Sequence, residues 1–308
     1  MQTRLLMCLA GVSFSLIAVS DMNAQGVKMN YIDAHVHVWT PDTARYPLAA
    51  GFKKEDMKPA SFTPQELFKH CKPAGVGRIA LIQMSFYGFD NSYMLDMIAM
   101  HPDVFVGTAV INPLGKDPAG EMNDLAKKGV RAFRILPALT KSPPARWLEP
   151  EGYGRMFAAG AKNNQAMSCL IDPDALPELD RMCRKFPDTP VIIDHLARIG
   201  SDGMIRDADV DRLCAMAKHK KVMVKVGAFY ALGKKKPPYT DLGPLIKKVV
   251  SAFGANRCMW ESDCPFQVQG EHTYQASVDL VRQRLDFLSD DEKDWLLRKT
   301  AERFFFAK

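Results

Sequence analysis

Cysteine is scarce in this chain, with seven among 308 residues and no two of them spaced as a C-x-x-C pair. A zinc ribbon and a thioredoxin-like redox centre are therefore not indicated. No glycine-rich phosphate loop of the G-x-G-x-x-G or G-x-x-x-x-G-K-[ST] type occurs, which argues against a nucleotide-binding doubly wound sheet. No stretch after the N-terminal region reaches the roughly 18 apolar residues that a membrane-spanning helix requires, so we expect no stable membrane insertion.

An excess of charge of one sign is also lacking. The formal net charge is only +6, and the lysines occur in short groups such as Lys234–Lys236, without interleaved aromatic residues. Such groups are typical of solvated surfaces, so we expect no nucleic-acid partner. With 47% apolar and 25% charged residues, the composition is that of a globular protein able to bury a large core.

The first residues have the pattern of a secretory leader. Arg4 gives a basic start, residues 5–19 form an uncharged apolar stretch, and small residues around Ser20 and Ala24 provide cleavage positions. We therefore predict a signal peptide over residues 1–24, export to the periplasm or the cell exterior, and one domain over residues 30–308. An uncleaved membrane anchor is the alternative.

Past this segment, short apolar runs of strand character alternate with helical patterns. Capping boxes open two of the predicted helices, one at Thr63 with Glu66 and one at Ser289 with Glu292. The predicted strands cover residues 31–38, 78–83, 104–111, 129–135, 166–171, 191–194, 222–226 and 258–261. Eight such units predict an α/β protein that closes as a (β/α)₈ TIM barrel, with an open doubly wound sheet as the runner-up.

Two histidines lie near the end of the first predicted strand. Because side chains alternate along a strand, His35 and His37 should project to the same side, and Ala34, Val36 and Val38 to the other. In a (β/α)₈ barrel the active site lies at the C-terminal ends of the strands. The pair is therefore a candidate for binding a metal or a polarised carbonyl.

Two more polar residues should join them. His195 follows the sixth predicted strand and Asp263 follows the eighth. Three imidazoles and one carboxylate meet the ligand count of one zinc or similar divalent ion, with Asp263 accepting the proton of the attacking water. Without a metal, Asp263 would still act as the general base while the histidines donate hydrogen bonds to the developing oxyanion. The residues leave both mechanisms open, and the catalytic pair in either is Asp263 and His195.

Four other residues are candidates for substrate binding, namely Arg131, Arg134, Lys225 and Tyr46. The two arginines lie three positions apart on one predicted strand, so they face opposite sides and only one can point into the barrel. That arginine is the candidate for contacting substrate, while the other is expected to pair with a neighbouring acid. Lys225 lies on the seventh predicted strand, and Tyr46 lies in the loop after the first.

Three segments carry a family resemblance: I-D-A-H-V-H-V-W at 32–39, V-I-I-D-H-L-A-R at 191–198 and M-W-E-S-D-C-P-F at 259–266. They resemble the amidohydrolase-related family, and within it the branch of fuconolactonase-like and pyrone-dicarboxylate lactonase-like hydrolases. The resemblance extends over nearly the whole chain after the leader. It implies a TIM-barrel hydrolase whose site is made from His35, His37, His195 and Asp263. It does not fix the substrate, since the family includes lactonases, decarboxylases and hydratases.

The chain departs from the family pattern in two places. Residues 167–171 offer neither the histidine nor the modified lysine that the wider superfamily places on strand four or five, so a two-metal site is not expected. Glu261 stands where the family has glycine, and Cys264 stands where it has an aromatic residue. Glu261 adds a carboxylate beside the pocket, either as a structural partner or as a determinant of substrate preference.

We therefore expect an exported hydrolase that opens a lactone or related cyclic ester of a small, acidic molecule by adding water. A metal-dependent decarboxylase of an unsaturated or aromatic acid on the same scaffold is the alternative enzyme, and a non-catalytic protein that keeps the barrel and uses its pocket for binding is the alternative that is not an enzyme. A small-molecule substrate is the partner indicated. The oligomeric state is left open, since the outer helices of a barrel carry apolar stripes in monomers and oligomers alike.

Overall fold

Eight parallel strands form one sheet in which neighbours in sequence are neighbours in space. The computed structural model describes residues 30–140 and 142–307. The strands are β1 Tyr31–Val36, β2 Val76–Ile82, β3 Phe105–Ala109, β4 Val130–Ile135, β5 Ala166–Cys169, β6 Val191–Ile193, β7 Val222–Gly227 and β8 Cys258–Glu261. The predicted (β/α)₈ barrel is confirmed.

Helices follow the strands along the chain. They are α1 Pro64–Cys71, α2 Ser92–Met100, α3 Pro118–Ala126, α4 Glu151–Asn163, α5 Leu176–Lys185, α6 Asp207–Ala215, α7 Gly243–Phe253, α8 Tyr274–Asp279, α9 Asp290–Asp294 and α10 Thr300–Phe305. Both predicted capping boxes are present, with Thr63 accepting from the Glu66 amide and Ser289 from the Glu292 amide. These caps satisfy amide groups that a helix start leaves without intrahelical partners.

The barrel closes between β1 and the segment that follows β8. The amide of Asp263 donates to the carbonyl of His35 at 3.0 Å, and the amide of His37 donates to the carbonyl of Cys264 at 2.8 Å. This backbone pairing brings the predicted site residues of the first and last strands against each other. The location of the site thus follows from how the barrel closes.

The barrel interior has an apolar layer below a polar one. The apolar layer includes Ala132 of β4, Met223 of β7 and Met259 of β8. Because side chains alternate along a strand, the residues two positions further on also face inward, one layer closer to the C-terminal mouth. These residues are Thr108, Arg134, Ser168, Asp194, Lys225 and Glu261. The polar side chains of these two layers therefore lie at the C-terminal end of the barrel.

One expectation for β1 is wrong. Ala34 belongs to the inner apolar cluster while Val36 packs in the outer one, so these two side chains do not share a face. The cause is a register shift of β1 against β2 between Asp33 and Val36, an irregularity of the β-bulge type that re-aims side chains.

The predicted leader over residues 1–24 lies outside the described residues, so the leader and export remain predictions. In the part of the chain that the structure describes, no helix is long and apolar enough to cross a membrane. The six cysteines there are free thiols, five of them buried.

Candidate active site

His35, His37 and Asp263 meet at the C-terminal mouth of the barrel. The two histidine Nε2 atoms are 3.2 Å apart, and Asp263 Oδ1 lies 3.2 Å from Nε2 of His37 and 3.5 Å from Nε2 of His35. All three side chains are almost fully buried. The prediction that the H-x-H pair projects together is therefore confirmed, despite the irregularity in β1.

These three groups fit a divalent cation. Nδ1 of His37 lies 2.8 Å from the carbonyl oxygen of Ile82, to which it donates, so Nε2 of that ring carries the lone pair. Oδ1 of Asp263 is buried and accepts no hydrogen bond. A tetrahedral ion about 2.1 Å from each donor separates the donors by about 3.4 Å, which is close to the spacings found here. The group is one that could hold a metal ion.

His195 reaches the same place from the other side of the barrel. Its ring centroid is 4.5 Å from that of His35, and its Nε2 lies 4.0 Å from Oδ2 of Asp263. Its Nδ1 is 2.8 Å from Oε1 of Glu261. The structure thus brings all four predicted residues together, although the compact three-donor group comprises His35, His37 and Asp263, and His195 falls in a second group with His35 and Glu261.

An unusual backbone places His195. Directly after β6 the chain turns through four consecutive residues with positive φ, from His195 at 53° to Arg198 at 56°. Asp263 also has positive φ, at 59°. Non-glycine residues in the left-handed region cost on the order of 1 kcal/mol each and persist where the surroundings impose them. Here the backbone bends that end β6 and β8 aim both side chains over the mouth.

The electrostatics divide the histidines into two kinds. Burial and the nearby Lys225 hold the pKa of His35 well below its usual value, and burial lowers the pKa of His37, so both rings are neutral near pH 7. Burial alone would lower the pKa of His195 too, but the carboxylates of Glu261 and Asp263 outweigh it and raise that pKa. The neutral rings of His35 and His37 therefore lie beside the His195 ring, whose protonated form is favoured.

Asp263 itself is kept ionised. Burial would raise its pKa, but the nearby imidazoles of His195 and His37 and the hydrogen bond from Tyr230 together outweigh burial and lower it. The Tyr230 hydroxyl donates to Oδ2 at 2.7 Å. Sequence reasoning missed Tyr230, because it lies in the loop after β7 and no motif marks it.

Asp33 ties the two closing strands together from below. Its Oδ1 accepts from the amides of His35 and Ser262, both at 3.0 Å, and its Oδ2 accepts from the Tyr274 hydroxyl. These bonds fix β1 to the segment that carries Asp263. Even so, burial raises the pKa of Asp33 to about 6.

This raised pKa predicts a pH dependence of stability. Asp33 takes up a proton more readily when folded, so its contribution is fully present below its usual pKa of 3.8 and is lost as the pH rises through about 6. The loss is about 3 kcal/mol, since each tenfold difference in proton affinity between the folded and unfolded chain is worth about 1.4 kcal/mol. Asp33→Asn should remove it. Chemical denaturation of both proteins across this range tests the prediction, and parallel stability curves would contradict it.

Lys225 does not line the cavity, and its contact with substrate stays a prediction. It is fully buried below the histidines, with Nζ 3.0 Å from Oδ1 of Asp194, 3.3 Å from Oγ of Ser168 and 3.2 Å from Nδ1 of His35. The reason is its place in the inner layer of β7, where the mouth is already covered by His35. The interior placement of Ser168 and Asp194 was readable from strand alternation but was not predicted.

The two arginines separate as their spacing requires. Arg134 lines the cavity, and its Nε is buried without a hydrogen-bond partner. Arg131 points outward and donates to the carbonyls of Ala126 and Val130. It does not line the cavity, so its contact with substrate stays a prediction, whereas the expected pairing with an acid is wrong. No carboxylate of the described residues forms an ion pair with either.

Tyr46 also lies away from the cavity. Its hydroxyl donates to Asp96 at 2.6 Å, and its ring packs edge-on against Tyr93 at 4.9 Å. The stretch of the loop after β1 that carries Tyr46 packs against α2, so this side chain does not line the cavity, and its contact with substrate stays a prediction.

A cavity of about 1140 Å³ opens above the site. Its polar lining includes His37, Gln83, Arg134, His195, Tyr230 and Asp263. Its apolar walls include Phe52, Phe89, Leu136, Leu139 and Phe266. Phe266 lies 6.0 Å from the His37 ring, so an aromatic wall is present although Cys264 replaces the aromatic residue of the family pattern.

A (β/α)₈ barrel with histidine and aspartate side chains converging at the ends of its strands is the framework of a TIM-barrel enzyme. The family model for amidohydrolases matches residues 32–307, and the chain belongs to the amidohydrolase family.

Curated relatives align over most of the chain. L-fucono-1,5-lactonase of Burkholderia ambifaria is 25% identical over 281 residues, which cover 89% of this chain and 94% of that protein. 4-Sulfomuconolactone hydrolase of Rhizobium radiobacter is 25% identical over 233 residues, covering 76% of this chain and 75% of that protein. A solved structure of a probable 2-pyrone-4,6-dicarboxylic acid hydrolase from Acinetobacter baumannii has a TM-score of 0.75 at 21% identity, covers 90% of this chain and 100% of its own, and shows the shared fold.

Proposed function

We propose that this enzyme hydrolyses a lactone or related cyclic ester of a small acidic molecule. The observation that carries the proposal is the meeting, in the lining of one cavity, of an aspartate, two histidines and an arginine that pairs with no carboxylate of the described residues. The two curated relatives, named as a lactonase and a lactone hydrolase, support the same reaction type.

Asp263 is the proposed general base. Its lowered pKa favours the ionised carboxylate, and Oδ1 accepts no hydrogen bond from the described residues. As water attacks the lactone carbonyl, the new C–O bond forms and the water proton passes to Oδ1. The bond from Tyr230 to Oδ2 holds the carboxylate in that orientation while this happens.

His195 is the proposed proton donor to the leaving oxygen. Its Nε2 faces the cavity, and its raised pKa favours the imidazolium. When the ring C–O bond breaks, Nε2–H protonates the departing alkoxide. The proton held by Asp263 then returns to Nε2 of His195 by way of one solvent molecule, which restores the resting state. A relay is needed because Oδ2 of Asp263 lies 4.0 Å from Nε2, beyond direct hydrogen-bond distance.

His35, His37 and Asp263 would hold a divalent cation, which would polarise the substrate carbonyl and lower the pKa of its bound water. The low pKa values of His35 and His37 leave both rings neutral, as ligands must be.

Arg134 is proposed to bind a substrate carboxylate. Arg134→Met should therefore raise KM for an acidic lactone and lower kcat/KM about 10- to 100-fold, the worth of a charge-assisted hydrogen bond, with kcat little changed. Arg131→Met is the matched control, since it removes the same group from the outer face of β4 and should leave the kinetics unchanged. Equal effects of the two variants would contradict the assignment.

A lactone panel with a pH indicator tests the reaction itself. Release of acid supports hydrolysis, whereas release of carbon dioxide from unsaturated or aromatic acids would support the decarboxylase alternative. If neither product forms with the wild type or with Asp263→Asn, while ligand binding is detected by calorimetry, the barrel is a binding protein.

Export is a separate proposal, which the leader pattern of residues 1–24 supports. Cell fractionation of the full chain and of a chain lacking these residues tests it, with the full chain alone expected outside the cytoplasm.

A further inference from the structure

Glu261 is a buried carboxylate that the proposed reaction does not use. Its side chain is fully buried, and Oε2 has no hydrogen-bond partner. Among the described residues, the one basic group within ion-pair distance is His195, whose Nδ1 lies 2.8 Å from Oε1. An ionised carboxylate without a partner is costly to bury, so this contact is what accommodates Glu261.

The neighbouring strand leaves room for this side chain. Gly227 ends β7 beside Glu261, and a Cβ atom placed there would lie 2.5 Å from Oε1 and 2.0 Å from the carbonyl oxygen of Glu261. No other residue fits without displacing the carboxylate. The glycine and the glutamate therefore form one local arrangement, which is directed at the His195 ring.

Glu261 lies outside the three-donor group of His35, His37 and Asp263, although it belongs to the second group that could hold a metal ion. It contacts Nδ1 of His195, whereas Nε2 is the nitrogen of that ring that lies 4.0 Å from Asp263. An imidazole ring that donates a hydrogen bond from Nδ1–H to a carboxylate has its other nitrogen, Nε2, held in a fixed direction.

We propose that Glu261 is a positioning residue that accepts Nδ1–H of His195 and so fixes the ring with Nε2 directed at the cavity and Asp263. The proton that His195 exchanges with the substrate is then always the one on Nε2, while the Nδ1 proton stays on Glu261's side. The functional part of this inference rests on the proposed hydrolysis. The tautomer itself does not depend on which reaction the enzyme catalyses.

Nitrogen-15 NMR of the imidazoles tests the tautomer directly. His195 signals are assigned by their loss in His195→Gln, and spectra are recorded on the protein as purified and after chelation. At a pH where the ring is neutral, the wild type should show the Nδ1–H form, and Glu261→Ala should show the Nε2–H form. A wild type in the Nε2–H form, or a variant that keeps the Nδ1–H form, overturns the proposal. If Glu261→Ala does not fold, the wild-type spectrum alone decides.

Kinetics separate positioning from a general structural role. Glu261→Ala should lower kcat about 10- to 100-fold, as loss of an outer partner of a site histidine does, with KM changed less than about threefold. Glu261→Gln, whose amide oxygen can still accept Nδ1–H, should retain more of the activity than Glu261→Ala. The matched control is Glu178→Ala, which removes another buried glutamate, on α5 and paired with Arg181, and should leave kcat and the His195 signals unchanged.

The two proposals fail in distinguishable ways. If the wild type hydrolyses no lactone, the proposed function fails, while the NMR result still decides whether Glu261 orients His195. If the wild type hydrolyses a lactone and Glu261→Ala keeps the wild-type kcat, the positioning proposal fails and the proposed function stands.

Discussion

Asp263→Asn should lower kcat/KM for lactone hydrolysis by about 10³-fold, within the range that removal of a general base produces. The substitution keeps the size of the side chain and the acceptor for Tyr230, but it removes the charge that His37 and His195 surround. It also removes one of the three donors in the group of His35, His37 and Asp263, so the content of bound divalent metal should fall together with activity.

Steady-state kinetics and elemental analysis of the purified protein check both effects. Asp180→Asn is the matched control, because Asp180 also contacts a histidine, with Oδ1 2.6 Å from Nε2 of His219, but on the outer side of the barrel. It should retain wild-type kinetics and metal content. Wild-type activity in Asp263→Asn would contradict the general-base assignment.

The pH dependence of the reaction follows from the same charge. Because the pKa of Asp263 is lowered, its carboxylate stays ionised as the medium becomes mildly acidic. The plot of activity against pH should therefore not fall on its acidic side until the pH is below 3.8, the ordinary aspartate pKa. The limb on the alkaline side should reflect His195, whose pKa is raised above 6.5. A rate that declines steeply between pH 3.8 and 6.5 would conflict with these directions.

The barrel was predictable because parallel strands and their helices leave strong local patterns. The sequence contains eight apolar runs and two capping boxes, and active sites of such barrels form at the C-terminal ends of the strands. These features were enough to predict that His35, His195 and Asp263 lie close together. The strand ends were less predictable. The sixth predicted strand runs to residue 194, but β6 ends at Ile193, because the chain there enters the left-handed turn that carries His195.

Which arginine faces inward was not predictable, for a physical reason. Strands of a parallel barrel are buried on both faces, so β4 has apolar residues in both alternating sets, with Ala132 inside and Phe133 outside. The pattern shows that Arg131 and Arg134 diverge but not which one points inward. The position of Tyr46 was not predictable for a different reason. The conformation of a loop depends on contacts such as that between Tyr46 and Asp96, which no local sequence pattern encodes.

The polar layer explains how the site stays rigid although its groups are buried. Asp33 fixes the closing strands, Glu261 contacts His195 from one side, and Lys225 and Asp194 lie beneath His35. Each contact couples a site residue to a group fully buried in the barrel. Rigidity of this kind is what a preorganised catalytic site requires, and it makes the charges of the layer a large factor in stability.

Lys225→Met should destabilise the protein by about 3–5 kcal/mol, the typical cost of breaking a buried ion pair by removing one partner. Methionine keeps most of the volume, so the loss reports the unpaired Asp194, whose Oδ1 is 3.0 Å from Lys225 Nζ and whose Oδ2 already has no partner. Replacing both charges, as in Lys225→Met with Asp194→Asn, should recover part of the loss because no uncompensated charge remains.

Urea denaturation of the single and double variants measures this coupling, and its pH dependence has a defined sign. Burial alone would raise the pKa of Asp194, but Lys225, together with His195, Arg134 and the Ser168 hydroxyl, outweighs burial and lowers it. The stabilisation is therefore present above the usual value of 3.8 and is lost as the pH falls through the lower folded value. Lys248→Met is the matched control, since it breaks a solvent-exposed pair with Asp207 at 2.7 Å and should cost nothing measurable. If Lys225→Met proved as stable as Lys248→Met, the buried pair would not contribute to stability, and Lys225 would have to be retained for its contact with His35 instead.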